Sequence, residues 1–306
     1  MQTTLDTSVA FDGRGLHLGE SVRLVLRPAP AGHGIVFRRM DVAADRADIP
    51  ALWSNVIVSP LNTRIENAHG VSVSTIEHVM AALSGCGIHN ALVTIDGPEV
   101  PILDGSSAEF VAGILRAGVR RLSQALSVIE VLKPVEVKVG DAVARLMPSR
   151  TLKIDFEIDF ADRAIGHQAK SLNMANGTFV RELCDSRTFC RSSDIETMRA
   201  KGFALGGTFE NAVVVDGDAV LTPGGLRHGD EAVRHKMLDA LGDLFTAGAP
   251  ILGAYTGVKA GHAVTNALLH ALMEDPTAWR YTTADAAISA CLPGVGVRWS
   301  DLPLAA

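Results

Sequence analysis

Aromatic residues are scarce in this sequence: they make up 5% of its 306 residues, although 47% are hydrophobic. The apolar content therefore rests on Ala, Val, Leu and Ile, the composition of an ordinary core-forming chain. No run approaches the roughly 20 apolar residues that a membrane-crossing helix needs. The opening Met1-Gln2-Thr3-Thr4-Leu5-Asp6 has neither the basic start nor the apolar stretch of a secretory signal. The four cysteines (Cys86, Cys184, Cys190, Cys291) form no Cys-x-x-Cys pair, and a chain of this length needs no staples, so they read as free thiols of a reducing compartment. The net charge of −6 contains no long single-sign run, which argues against a nucleic-acid partner. Neither a Walker loop nor a Gly-x-Ser-x-Gly elbow occurs, which counts against nucleotide-triphosphate hydrolysis and serine esterase chemistry. The expectation is a cytoplasmic protein with at most peripheral membrane contact.

The length suits two domains. In the first half, 22–26 alternates as a strand, 74–83 has helical spacing ending at Gly85, 91–95 is a β-rich run closed by Asp96-Gly97-Pro98, and 108–117 reads as a helix. After a linker at 123–127, strands are expected at 128–132, 135–139, 152–160, 212–215 and 251–258. Helices are expected at 193–200, 231–247 and 262–273, with a hairpin turn at Asp216-Gly217. Each half carries a helix with His-x-Met (His78 to Met80, His235 to Met237), then a glycine break and an apolar strand, which hints at two related α+β units.

On the long helix of the second half, Val233, Met237, Leu238, Leu241, Leu244 and Phe245 share one arc. His235, Asp239 and Asp243 lie one turn apart on the other side. A His and an Asp at i and i+4 can share one metal ion, or the line is simply a solvated face. Ser74-Thr75-Ile76-Glu77-His78 also reads two ways. Ser-x-x-Glu is a capping box with Ser74 as N-cap, or Glu77 is a general base beside a ligand His78. His-Glu-x-x-His is absent, and the inverted form needs a histidine where Ser74 stands, so a metal-binding His78 requires partners from elsewhere, naturally His235 and Asp239. Lys259-Ala260-Gly261-His262 joins a strand to a helix and is either a site loop or a plain polar one. Gly13-Arg14-Gly15-Leu16-His17-Leu18-Gly19 misses the dinucleotide fingerprint at Leu18 and reads as a turn between strands.

Further segments extend the pattern: RPAPAGHGIVFRR at 27–39, VSTIEHVMAALSGCGIHNALV at 73–93, EVPILDGSSAEFV at 99–111, GFALGGTFENAVVVD at 202–216, DEAVRHKMLDALGDLF at 230–245 and GHAVTNALL at 261–269. With GRGLHLGE at 13–20, SRTF at 186–189 and DIE at 194–196, they resemble the UDP-3-O-acyl-N-acetylglucosamine deacetylases, zinc enzymes of lipid A biosynthesis, over nearly the full length. The resemblance implies an α+β fold of two related two-layer domains, 1–124 and 125–306, with a βαβ insert at about 190–215 in the second. It implies Zn2+ on His78, His235 and Asp239 with the fourth place left to water. It further implies Glu77 as general base, His262 as cation or general acid, Asp243 orienting His262, and Thr188 stabilising the oxyanion. Substrate contacts are implied for Lys236, Phe189 and His17, for Ile195, Phe209 and Val214 along an acyl passage, and for Lys259 near the UDP. The implied reaction is hydrolysis of the N-acetyl group of UDP-3-O-(3-hydroxyacyl)-N-acetylglucosamine, by a monomer. Two alternatives are a non-catalytic zinc and nucleotide-sugar-lipid binder and a deacetylase of another N-acetyl sugar. Arg191 and Ser192 depart from the apolar residues usual at the passage mouth, and Ala142 from a basic diphosphate contact in some relatives.

Overall fold

Alternation of Val22, Leu24 and Leu26 with exposed Arg23 and Arg27 buries one face of the strand Ser21–Pro28. In the computed structural model, which describes residues 1–303, that strand lies inside a five-stranded mixed sheet. The order is Val9–Arg14, Ser21–Pro28, Ala91–Ile95, Ile35–Arg39, Asp48–Pro50. A seven-stranded sheet is built from residues 127 onward, and the strand Ile251–Val258 runs through its middle. The helices are α1 (Glu77–Gly85), α2 (Ala108–Ala117), α3 (Thr178–Glu182), α4 (Ser192–Ala200), α5 (Glu231–Phe245), α6 (His262–Glu274) and the short α7 (Ala286–Ser289). The parallel strands Phe189–Arg191 and Val213–Asp216, linked through α4, form a βαβ unit, to which Ala219–Val220 adds an antiparallel third strand. The fold is α+β, as the sequence led us to expect. Among the described residues no helix is long and apolar enough to cross a membrane.

Several predicted elements match the structure at both ends: 91–95, 108–117, 135–139 and 251–258. The capping box at Ser74 does not form. Ser74 closes the strand Ser72–Ser74 and its hydroxyl donates to the Pro98 carbonyl at 3.3 Å. α1 begins only at Glu77, and its N-cap, Ile76, offers no side-chain bond. The cause is Thr75, which takes φ 58°, a left-handed turn that a non-glycine residue adopts only when its surroundings hold it there. Its hydroxyl donates to Glu99 Oε1 at 2.9 Å and accepts from Asn62 Nδ2 at 3.2 Å.

The solvated-face reading of α5 also fails. All of α5 is buried except Arg234 and Lys236, because α1 and α6 cover the side that carries His235, Asp239 and Asp243. α1 is buried along its whole length. The two helices meet backbone to backbone: a Cβ on Gly242 would lie 2.0 Å from the Glu77 carbonyl oxygen and 3.1 Å from the Ala81 nitrogen. One hydrophobic core runs from Leu5 to Ala278 and passes through both helices.

This contact predicts a large cost for one methyl group. Gly242→Ala should destabilise the protein by at least about 2 kcal/mol and lower its melting temperature by about 4 °C or more. Gly229 has open space around it, so Gly229→Ala should melt within about 0.5 kcal/mol of wild type. Equal melting curves for the two variants would show that the helices do not touch in this way.

Candidate metal centre and active site

α1 and α5, held in contact, place His78 against His235, with ring centroids 5.0 Å apart and planes at 90°. Asp239 sits one turn beyond His235 on α5, so its carboxylate falls between the rings. Asp239 Oδ1 is 3.3 Å from His235 Nε2 and 3.7 Å from His78 Nε2. One donor atom from each of the three lies within 4.8 Å of the others, and all three residues are buried. Asp239 Oδ1 finds no hydrogen-bond partner among the described residues. An unpartnered buried carboxylate oxygen aimed between two imidazoles is the donor set of a divalent transition ion.

The protonation states suit that role. Burial, then the neighbouring His235, push His78 down to about 3, so it is neutral. Burial also lowers His235. Its Nδ1–H donates to the Ser186 carbonyl at 3.0 Å, which leaves the Nε2 lone pair facing Asp239. Burial drives Asp239 upward, but His235, Lys236, His262 and His78 together outweigh it and hold the carboxyl well below the usual range. Lys236 Nζ donates to Asp239 Oδ2 at 2.7 Å, so its ammonium is engaged with this carboxylate.

Glu77 opens α1 and points into the same space. Burial raises it to about 8, and Asp239 and Asp243 add to the rise against the pull of His262. Its Oε2 accepts from the Thr63 backbone N–H at 3.0 Å, and Oε1 lies 3.8 Å from His262 Nε2. His262, the first residue of α6, donates from Nδ1 to Asp243 Oδ2 at 3.0 Å. Burial disfavours its charge, but Asp243, Glu77 and Asp239 overcome this and hold it up at about 9. α6 is launched through Lys259 at φ 49°, as α1 is through Thr75. The Lys259 ammonium itself bonds Asp159 at 3.0 Å.

Thr188 and Phe189 carry the site into a cavity of about 360 Å³, within the range of small-molecule sites (about 300–1,000 Å³). Ile195, Phe209 and Val214 line it, and so do His17 and Leu61 from the first half of the chain. Phe189 reaches back to His235, ring centroids 6.3 Å apart. Arg191 does not line the cavity; its guanidinium is paired with Asp194 at 2.8 Å. Ser192 donates to Asp216 at 2.9 Å. Ala142 opens a strand on the far side of a tight turn at Gly140-Asp141. His17 accepts the Ala204 N–H on Nδ1, and its buried Nε2 has no partner among the described residues. Burial lowers its pKa, so the neutral ring carries its proton on Nε2.

Three supporting groups escaped the sequence reading. Thr63 binds both Glu77 and Asp243. Glu99 accepts the N–H groups of His17 and Leu18, both at 2.8 Å, and the Thr75 hydroxyl. Glu231 takes the Arg187 backbone and guanidinium, at 3.0 and 2.9 Å, and so fixes the 186–188 segment that contacts His235. Glu231 stands one turn before His235 on α5, the one spacing signal that could have drawn notice to it.

A family model described as UDP-3-O-acyl N-acetylglycosamine deacetylase matches residues 2–274. A UDP-3-O-acyl-N-acetylglucosamine deacetylase of Phenylobacterium zucineum is 49% identical over 282 residues, covering 92% of this chain and 96% of that protein. Proteins of the same name from Geobacter sp. and Idiomarina loihiensis are 47% and 45% identical over 275 and 286 residues, covering 90% and 93% of this chain.

The cluster predicts uptake of one equivalent of a divalent transition ion. Adding zinc to metal-stripped protein should raise its melting temperature. Asp239→Ala should lose that rise and at least about a hundredfold in affinity. An Asp239→Ala protein that takes up zinc as tightly as wild type would place the ion elsewhere.

Proposed function

The chain belongs to the UDP-3-O-acyl N-acetylglycosamine deacetylase family, and from that premise we propose that it removes the N-acetyl group of UDP-3-O-acyl-N-acetylglucosamine at the His78–His235–Asp239 centre. The observation that carries this is the convergence, on one buried metal-type donor set, of a base candidate and an acid candidate next to an apolar cavity. Zinc is the ion we propose, since nitrogen and oxygen donors in this number suit it; when bound it acts as a Lewis acid and lowers the pKa of water.

The protein groups then divide the proton work. Glu77, ionised, takes a proton from the attacking water as the new C–O bond forms. His262, protonated and held by Asp243, gives a proton to the amide nitrogen as the C–N bond breaks, which releases acetate and the free amine. Thr188, at the junction of centre and cavity, is our candidate donor to the developing oxyanion. The 3-O-acyl chain is assigned to the cavity lined by Ile195, Phe209 and Val214, where Phe189 closes the end next to His235. The His17 Nε2–H, without a partner among the described residues, offers a donor to the sugar or its acyl carbonyl. Lys236 is kept as a substrate contact once Asp239 turns to the ion, and Lys259 as a phosphate contact that exchanges its bond to Asp159. We read the chain as two domains, 1–124 and 125–306. Supporting this, no strand pairing among the described residues crosses residue 124.

Zinc-loaded protein should release acetate from the acylated UDP-sugar and be far slower on N-acetylglucosamine oligomers; the reverse preference would change the substrate. Glu77→Ala should reduce acetate release by at least about a hundredfold while zinc stays bound. A wild type that binds zinc and the substrate without turnover would make the protein a binder. The rate should follow a bell. It rises as Glu77 ionises and falls as His262 loses its proton, each at a pH below its metal-free value of about 8 and about 9, because a bound cation favours the carboxylate and disfavours the imidazolium. A flat profile from about pH 5 to about pH 10 would refute these roles.

A further inference from the structure

The structure assigns Thr63 as a positioning residue that holds the Glu77 carboxylate and the Asp243–His262 pair in one frame, an inference that rests on the proposed deacetylation at this site. Thr63 is fully buried and lies at the end of the loop between the paired strands Val56–Ile57 and Arg64–Glu66. All of its polar atoms are used. Its N–H donates to Glu77 Oε2 at 3.0 Å, and its carbonyl accepts from the Ile76 N–H, just before α1, at 3.3 Å. Its hydroxyl donates to Asp243 Oδ1 at 2.6 Å and accepts from Asn266 Nδ2 at 3.0 Å. One residue thus ties α1, α5 and α6 together at the end where their reactive groups meet.

The direction of these bonds is fixed by chemistry. Asn266 contributes an amide N–H, and an ionised Asp243 can only accept, so the one hydroxyl proton lies on the Asp243 side. With Oδ1 pinned by Thr63, the rotation of the Asp243 carboxylate is set, and Oδ2 must face His262 Nδ1. The same residue's backbone N–H sets Glu77, whose Oε1 then faces His262 Nε2 at 3.8 Å. Two carboxylates with opposite tasks therefore share one reference point. A hydroxyl satisfied by neutral neighbours would show only ordinary burial of a polar group; this one holds the carboxylate that orients His262.

Thr63→Val keeps the backbone bond and the branched shape and deletes only the hydroxyl. It should lower kcat by about 10- to 100-fold and leave KM within about twofold, the pattern of an interaction needed in the transition state. Zinc affinity of the stripped protein, from competition with a chelator, should stay within about threefold of wild type, since no ligand is touched. Thr63→Ser should recover kcat to within about fivefold of wild type. Asn266→Ala, which removes the outer donor, should lower kcat in the same direction by a smaller factor, and serves in place of Thr63→Val if that protein does not fold. The assignment is overturned by unchanged kcat in Thr63→Val, by serine failing as valine does, or by a loss that falls on KM or zinc affinity. If wild-type protein binds zinc but releases no acetate, the functional reading fails separately. Crystal structures then decide the frame: Asp243 or His262 must move by more than about 0.5 Å in Thr63→Val, and unmoved groups overturn it.

Discussion

The backbone contact between Glu77 and Gly242 is the constraint on which the rest of this molecule depends. Only a hydrogen atom fits there, so α1 and α5 approach more closely than helices separated by side chains. That approach puts the first turn of α1 against the middle of α5, and the residues at those places are Glu77 and His78 on one side and His235 and Asp239 on the other. The donors of the candidate centre therefore project from two rigid elements in direct contact. Their spacing follows from main-chain geometry more than from the packing of interchangeable apolar groups.

The electrostatics follow from that enclosure. Three carboxylates, Glu77, Asp239 and Asp243, are buried within a few ångströms of His262 and Lys236. In water Glu77 and Asp239 would ionise independently; here their different surroundings separate them. Asp239 stays charged, while Glu77 is lifted toward neutrality by losing its hydration. The enclosure also explains why His78 stays neutral while the largely buried His262 keeps its proton. His78 faces another imidazole and one carboxylate, whereas His262 faces three carboxylates.

Much of this was legible in the sequence. Apart from the start of α1, the strands and helices expected from periodicity were placed to within a residue or two, and the i, i+4 spacing of His235 and Asp239 marked them as a pair. Spacing alone could not say whether the pair was solvated or buried, because α1, which covers it, comes about 150 residues earlier in the chain. Resemblance to the family joined His78 to it. What stayed hidden was the support. Thr63 and Asp243 are 180 positions apart, and Thr63 stands in a loop with no periodicity to make it conspicuous. The capping-box reading failed for a related reason: a local rule sees Ser74 and Glu77 but not the left-handed turn at Thr75, which is held by the distant Glu99.

The chemistry and the cavity are anchored to different parts of the chain. The groups proposed to react stand on α1, α5 and α6, while the cavity wall comes largely from 188–214, including α4, none of whose residues is buried. Substitutions on this half-exposed helix cost less stability than changes in the buried core. With the acyl chain placed in this cavity as proposed, chain-length preference can change through this segment without touching the three donors, and an inhibitor that draws its affinity from this wall is more open to escape than one gripping them.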